Sequence, residues 1–115
     1  MAVYVPRAGD LVWLTFDPQA GREQTGRRPA LALSPFSYNS KSGLAVICPI
    51  TSRAKGYPFE VKLPAGFPVT GVILADQLKS LDWRERHAEL ICEITPETLG
   101  EVLDRIAPLL GFRES

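Results

Sequence analysis

The chain contains a single histidine, His87, in 115 residues. One histidine excludes a ribonuclease that uses two histidines as acid and base, and it excludes a histidine-rich metal centre. The carboxylates are scattered and show no spacing typical of a metal cluster. The sequence also lacks a P-loop, a GxGxxG fingerprint and a GxSxG nucleophile motif. Catalysis would therefore depend on Arg, Lys, Thr, Ser, Glu and Asp, and we predict no cofactor and no metal.

Cysteines and long apolar runs are also scarce. Cys48 and Cys92 are the only cysteines, and their apolar contexts without CxxC spacing favour two buried free thiols in a reducing compartment over a disulfide. The first seven residues contain no apolar signal-peptide region. No apolar run is long enough to span a bilayer. We therefore predict a cytoplasmic protein with no membrane partner.

Net charge is absent as well, because 13 Lys and Arg balance 13 Asp and Glu. This balance argues against indiscriminate binding to nucleic acids or anionic membranes. It hides an asymmetry, however. Residues 1–62 contain eight basic and four acidic side chains, a charge of +4, whereas residues 63–115 contain five and nine, a charge of −4. A positive field in the first half can attract phosphate, although such an imbalance is common in short chains.

The composition is that of one soluble globular domain, which we assign to residues 1–115. Hydrophobic residues make up 45% of the chain and charged residues 23%, which separates it from disordered proteins. Short β-rich runs alternate with Gly and Pro turns. They predict six strands, at 11–16, 30–34, 44–50, 59–63, 71–75 and 88–94. We expect a turn cluster at 39–43 between the second and third strands, and a short helical turn near 78–83.

One segment has helical periodicity. Its apolar residues recur at intervals of three and four: Leu99, Val102, Leu103, Ile106 and Leu110. Thr95 suits the N-cap and Pro96 the first helical position, while Pro108 should end or kink the helix. Many short strands with one terminal helix predict a mainly β fold, in which a small, strongly bent antiparallel barrel packs against a C-terminal helix.

Two short stretches place polar groups at the edges of apolar runs. The stretch from Glu23 to Pro29 offers a carboxylate and two guanidinium groups, and the stretch from Cys48 to Ser52 offers two hydroxyls. RNA supplies its own nucleophile, the 2′-hydroxyl. Its cleavage needs a base, donors for phosphate oxygens and a proton for the leaving oxygen. The two stretches contain groups for such metal-free chemistry.

Three residues in these stretches are candidates for that chemistry. Arg28 precedes Pro29, which favours an extended backbone at the start of the second strand, and its planar guanidinium suits a phosphate. Thr51 follows an apolar strand, so its hydroxyl emerges at a strand end and either caps a turn or donates to phosphate. Glu23 fits the role of a base as well as that of a structural partner for neighbouring arginines.

Other side chains fit both an RNA-binding and a purely solvated role. Arg27 is a loop charge that contacts phosphate or nothing. Ser52, Arg53 and Lys55 fit a solvated loop as well as a phosphate-binding one. Exposed aromatic rings can stack on unpaired bases, and the candidates are Phe36, Tyr38, Tyr57 and Trp83. We assign Trp13 and Phe16 to the core.

The ordered landmarks of the chain resemble those of the MazF/PemK family of bacterial toxins, from Tyr4 to about Gly111. They are GDLVW at 9–13, FDP at 16–18, EQ at 23–24, Gly26, RPA at 28–30, LSPF at 33–36, YN at 38–39, Pro49 with Thr51, KGYP at 55–58, LADQ at 74–77 and KS at 79–80. So many matches in order across a short chain are far more specific than any single motif.

The resemblance implies an SH3-like β-barrel and a homodimer that cuts single-stranded RNA at short specific sequences without metal. It places the family's catalytic Arg on Arg28, its catalytic Thr on Thr51, and a loop acid on Glu23. It also implies a cognate antitoxin whose disordered C-terminal segment folds over the toxin dimer, so that DNA is contacted only indirectly through the antitoxin. We predict further RNA contacts for Arg27, Ser52, Arg53, Lys55, Tyr38, Asp76, Gln77 and Lys79.

Two other functions compete with this prediction. A gyrase-poisoning toxin of a related family shares the barrel and acts as a binding inhibitor, which needs neither Arg28 nor Thr51. A catalytically inactive module would bind RNA or protein without turnover. The presence of both Arg28 and Thr51 favours an endoribonuclease.

Overall fold

The computed structural model describes residues 3–16 and 26–112. Within these ranges the strands are β1 (Asp10–Thr15), β2 (Arg27–Ala32), β3 (Leu44–Thr51), β4 (Glu60–Lys62), β5 (Val72–Leu74), β6 (Lys79–Asp82) and β7 (Glu89–Glu93), and the helices are α1 (Phe36–Ser42) and α2 (Pro96–Leu109). The strand order is β4-β5-β3-β2-β1-β7, and β6 pairs with β3 outside this path.

The predicted mainly β fold with a C-terminal helix is confirmed. All six predicted strands are present, with ends that differ from the prediction by three residues or fewer. The barrel is looser than predicted, because the edge strands β4 and β7 do not pair with each other in the described residues. The fold is therefore a bent, open antiparallel sheet rather than a closed barrel.

Strand β3 organises the sheet. One of its edges pairs with β2, where Pro49 lies opposite Ala30. The other edge pairs with β6 along Leu44–Ile47 and then with β5 at Ile50 and Thr51. This change of partner brings β5 and its neighbour β4 to the carboxyl end of β3.

The buried side chains of the strands point alternately to the two faces of the sheet and form two core clusters. Leu11 and Leu31 belong to a cluster that includes Val102 of α2. Val12 and Ala30 belong to a second cluster, which also contains Trp83. Because successive strand residues point to opposite faces, both faces of the sheet carry buried apolar side chains.

Helix α2 begins as predicted. The Thr95 hydroxyl accepts a hydrogen bond from the Thr98 N–H at 3.2 Å, and Pro96 is the first helical residue. The helix ends at Leu109, one residue after Pro108. Neither helix in the described ranges has the length and apolar character that crossing a membrane requires.

Two local predictions are wrong. The turn cluster at 39–43 is mostly helix α1, and the helical turn near 78–83 is strand β6. Helix α1 is rich in weak helix formers, but the buried Asn39 amide donates to the carbonyls of Pro6 and Ser34 at 2.9 Å each. Strand β6 forms because it pairs with the edge of β3. In both cases tertiary contacts override local propensity.

The prediction that Trp83 stacks on bases is also wrong. Its side chain is only 2% exposed, and its indole N–H donates to the Asn39 carbonyl at 2.9 Å. A buried indole with a satisfied donor is a core residue.

Stability at alkaline pH should depend on Cys48. Burial raises the pKa of this thiol to about 12, and the negative charge of Asp76 adds to the shift, whereas an unfolded thiol has a pKa of about 8.5. The folded state therefore holds the proton more tightly. The resulting stabilisation is complete below about pH 8.5 and is lost as the pH rises towards the folded value.

We expect the free energy of unfolding to fall as the pH rises above about 8.5, and to fall less steeply in Cys48→Ala. Urea titrations across this pH range measure both proteins. Tyr4, whose pKa is also raised by burial, is retained in both, so the difference in slope reports Cys48. Equal slopes would contradict this account.

Candidate active site

Two cavities meet where β2 begins and β3 ends. Their volumes are about 590 Å³ and 760 Å³, and we call them the first and the second cavity. The residues that line both are Arg28, Ile50, Thr51 and Arg53. Two of the three predicted catalytic side chains thus lie at the boundary between the cavities.

The pairing of β2 with β3 brings Arg28 and Thr51 to the same end of the two strands. The paired region ends where Ala30 lies opposite Pro49, and Arg28 and Thr51 lie two residues beyond it on their strands. Both side chains line both cavities. Strand ends are rigid supports, so they direct both side chains towards the shared boundary.

The Thr51 hydroxyl caps a turn, the first of the two roles that the sequence left open. Its oxygen accepts a hydrogen bond from the Arg53 N–H at 3.1 Å, which caps the turn after β3. A hydroxyl has one donor and two acceptor positions. The cap uses an acceptor, so the hydroxyl hydrogen can still donate to a ligand in the cavities.

Positive side chains outnumber negative ones around both cavities. The charged residues that line the first cavity are Arg28, Arg53, Lys55, Lys79, Glu60 and Asp76. Those that line the second cavity, among the described residues, are Arg27, Arg28 and Arg53. Such clusters attract phosphate and donate hydrogen bonds to it. In the same ranges, no group of three His, Cys, Asp or Glu side chains is placed to hold a metal ion.

The structure brings most of the predicted RNA-contacting residues together. Those that line a cavity are Arg27, Ser52, Arg53, Lys55, Asp76, Gln77 and Lys79. Tyr38 lines neither cavity. It lies on α1, just before the start of β3, whereas Thr51 ends that eight-residue strand. At about 3.3 Å per residue, the two ends of β3 are roughly 23 Å apart.

Arg27 has partners within the protein. Its guanidinium donates to the Thr15 hydroxyl at 3.1 Å and to the His87 carbonyl at 2.9 Å. It also forms an ion pair with Glu89 at 2.9 Å. These contacts join β2 to β1 and to the segment that enters β7, so a phosphate at Arg27 would compete with them.

Glu23, the third predicted catalytic residue, lies outside the described residues, as does Arg22. The role of Glu23 therefore stays a prediction that rests on the family resemblance and on its carboxylate.

Sequence reasoning missed Glu60. Its carboxylate accepts the backbone N–H of Lys55 at 3.0 Å and that of Gly56 at 3.0 Å. These bonds close the loop that carries Arg53, Lys55 and Tyr57 along the first cavity. No local pattern marks Glu60, because its partners become neighbours only when the loop folds back onto β4.

The assignment of Trp13 and Phe16 to the core is wrong in part. Both are half-buried, and each lines a cavity: Phe16 the first and Trp13 the second. The Lys79 ammonium lies 5.6 Å from the centre of the Phe16 ring, a cation–π distance. Aromatic content alone does not distinguish a core ring from one at the mouth of a cavity.

The fold and the site together define a small antiparallel β protein with a cationic site at its strand ends. Residues 7–110 match the family described as PemK-like, MazF-like toxin of type II toxin–antitoxin system. The chain belongs to this family, which confirms the resemblance seen in the sequence.

Relatives and solved structures agree with this assignment. The chain is 50% identical to the endoribonuclease toxin MazF of Escherichia coli K12 over 94% of its own length and 96% of the relative's. It is 38% identical to the endoribonuclease PemK of Escherichia coli, over 86% of this chain and 78% of that one. A crystal structure of MazE–MazF from Deinococcus radiodurans matches with a TM-score of 0.87 and 54% identity, and covers 96% of this chain and 100% of that chain.

The loop closed by Glu60 gives a direct test of the site's architecture. Removing the carboxylate in Glu60→Ala deletes hydrogen bonds to a charged acceptor, each of which stabilises by about 1.5–3 kcal/mol when well formed. We expect the Lys55 and Gly56 amides to exchange with deuterium about tenfold faster or more. Hydrogen exchange followed by NMR measures this. Glu85→Ala, which removes an exposed glutamate that lines neither cavity, is the matched control, and unchanged exchange in Glu60→Ala would refute the assignment.

Proposed function

We propose that this chain cuts single-stranded RNA at short specific sequences, without a metal, at the boundary between the two cavities. Its class of activity follows from its family. Relatives that match nearly the whole chain at 50% identity bear the name endoribonuclease, and the chain is an endoribonuclease toxin of the MazF type. The observation that carries the proposed site is that Arg28 and Thr51 both line both cavities.

The proposed reaction uses the 2′-hydroxyl of the RNA as the nucleophile. The 2′-oxygen loses its proton and bonds to phosphorus, while the bond from phosphorus to the 5′-oxygen breaks. The products are a 2′,3′-cyclic phosphate and a 5′-hydroxyl, which takes up a proton. Negative charge grows on the phosphate oxygens along the way, and donors already in position there lower the barrier.

Arg28 and Thr51 are the proposed donors. Arg28 is exposed at the start of β2, and its guanidinium can direct two parallel N–H groups at a phosphate. Thr51 has its hydroxyl hydrogen available because the Arg53 N–H occupies an acceptor position. Both act where charge develops, as transition-state stabilisation requires.

Glu23 is the proposed base, or the residue that orients Arg28. The carboxylate of Glu60 is less suited to this role, because it already accepts two backbone N–H groups. If Glu23 removes the proton, Glu23→Gln should abolish the acidic limb of the pH–rate profile. An unchanged acidic limb would assign Glu23 to orientation.

The two cavities suit nucleotides on either side of the cleaved phosphate. Arg53 and Lys55 lie where a backbone would enter the first cavity, and the exposed Tyr57 ring offers a surface for base stacking. Asp76 and Gln77 present an acceptor and an amide that can read base edges. We propose that these two residues contribute to sequence choice.

The proposed partners are a second copy of the chain and a cognate antitoxin. Several large apolar side chains in α2 and just after it are exposed, as expected if another chain covers them: Leu103, Leu109, Leu110 and Phe112. The Deinococcus radiodurans structures include MazE–MazF assemblies. We propose a cytoplasmic homodimer that a disordered antitoxin segment inhibits, with DNA contacted only through the antitoxin. A monomer in light scattering at micromolar concentration would contradict the dimer.

Gyrase poisoning is not favoured. It requires no Arg–Thr pair, whereas Arg28 and Thr51 line both cavities here. The curated relatives are named endoribonucleases. Binding to gyrase by a folded protein that leaves RNA intact would revive this alternative.

The test is cleavage of a mixed-sequence RNA and of its DNA counterpart in excess EDTA. We expect cuts in RNA alone, at a short recurring sequence, with cyclic phosphate and 5′-hydroxyl ends. A substrate with one 2′-deoxy nucleotide at the cut should resist cleavage. Cleavage of that substrate, or loss of activity in EDTA, would overturn the mechanism.

Arg28→Ala and Thr51→Ala should each lower the cleavage rate by about 10²–10³, the usual effect of losing one donor to a developing oxyanion. Neither side chain is part of the buried core, so melting temperatures should change little. Single-turnover kinetics measure the rates. Arg84→Ala, an exposed arginine stacked on Trp83 away from the cavities, is the control. Wild-type rates in a folded Arg28→Ala protein would reject the site.

A further inference from the structure

Gly71 lies directly against the backbone of the Thr51–Ser52 junction. A Cβ atom at residue 71 would lie 2.2 Å from the Thr51 carbonyl oxygen, 2.9 Å from the Thr51 carbonyl carbon and 3.1 Å from the Ser52 Cα. These are main-chain atoms, so a side-chain rotation cannot relieve the overlap. Any other residue at position 71 would have to displace the backbone next to Thr51.

The local fold explains why the two segments approach so closely. Gly71 precedes β5, whose first residue, Val72, pairs with Thr51. The Gly71 carbonyl also accepts a hydrogen bond from the Leu63 N–H at 3.1 Å, just after β4. Gly71 thus lies where the ends of three strands converge, and its φ of +127° is one that L side chains rarely adopt.

This contact affects the proposed chemistry because the backbone and the side chain of Thr51 are both restrained by other contacts. Its backbone is paired with Val72 on one side, and its hydroxyl is held by the Arg53 N–H. A Cβ that pushes the Thr51 carbonyl away would therefore carry the hydroxyl with it. A displacement of about 1 Å in a catalytic group can cost about 10²-fold in rate.

We propose that Gly71 is a positioning residue for RNA cleavage: by lacking a Cβ, it lets the β5 segment fix the backbone of Thr51 and so set the direction of its hydroxyl. This inference rests on the proposed function of Thr51. Gly71 itself lines neither cavity, so it acts only through its neighbour.

The test compares Gly71→Ala with Gly66→Ala. Gly66 also has a positive φ, +88°, but a Cβ there would have no heavy atom within 4 Å, so Gly66→Ala carries backbone strain without the collision. We expect Gly71→Ala to lower kcat by about 10²-fold with KM changed less than about threefold. Gly66→Ala should cleave at nearly the wild-type rate. Equal activities of the two folded variants would overturn the proposal.

A double variant separates positioning from general weakening of the fold. If Gly71 acts through Thr51, adding Gly71→Ala to Thr51→Ala should lower the residual single-turnover rate by less than about threefold, because the interaction is already lost. A further loss of about 10²-fold, as independent effects would give, would overturn the proposal. Wild-type cleavage by Thr51→Ala would instead reject the proposed role of Thr51, which is a distinguishable failure.

A measurement on the unmodified protein covers the case in which Gly71→Ala does not fold. The close approach predicts nuclear Overhauser effects between the α-protons of Gly71 and the α-proton of Ser52. Their presence supports the contact on which the proposal depends. Their absence in the folded wild-type protein would overturn it, whatever the variants show.

Discussion

The register between β2 and β3 is the constraint on which the rest of the structure depends. With Ala30 opposite Pro49, the start of β2 and the end of β3 lie at the same end of the strand pair. Leu31 and Cys48, which lie opposite each other, stay in the core. A slip by one residue would exchange the faces of every side chain in the strand. Pairing of β2 with β3 therefore also brings Arg28 and Thr51 to the same end of the sheet.

The second edge of β3 extends this constraint to the surrounding loops. After Thr51 the chain returns to β3 twice: β5 pairs with the last two residues of β3, and β6 then pairs with its first half. Glu60 holds the loop that contains Lys55 and Gly56, because its carboxylate accepts hydrogen bonds from both backbone N–H groups. Gly71 holds another through a hydrogen bond from the Leu63 N–H and close contact with the backbone of Thr51 and Ser52. Hydrogen bonds and close packing thus hold the loops around the two cavities in place, although many of their residues are exposed.

Features encoded locally could be predicted from the sequence. Thr95 and Pro96 mark the start of α2, Pro29 directs Arg28 into an extended strand, and the apolar run before Thr51 places its hydroxyl at a strand end. Features that depend on distant partners could not. Helix α1 needs the buried hydrogen bonds of Asn39, β6 needs the edge of β3, and Glu60 needs a loop that folds back upon it. Trp83 looks like a surface ring until its partner, the Asn39 carbonyl, is known.

The location of the proposed site on two strands of one chain also bears on how the activity is regulated. Arg28 and Thr51 line the same two cavities of a single chain, so the proposed pair of donors forms as soon as each copy folds. Inhibition of the folded chain then requires another molecule that covers the site. An inhibitor that binds tightly acts by titration. RNA cleavage stays low while the inhibitor is in excess, and it rises steeply once toxin molecules outnumber inhibitor molecules.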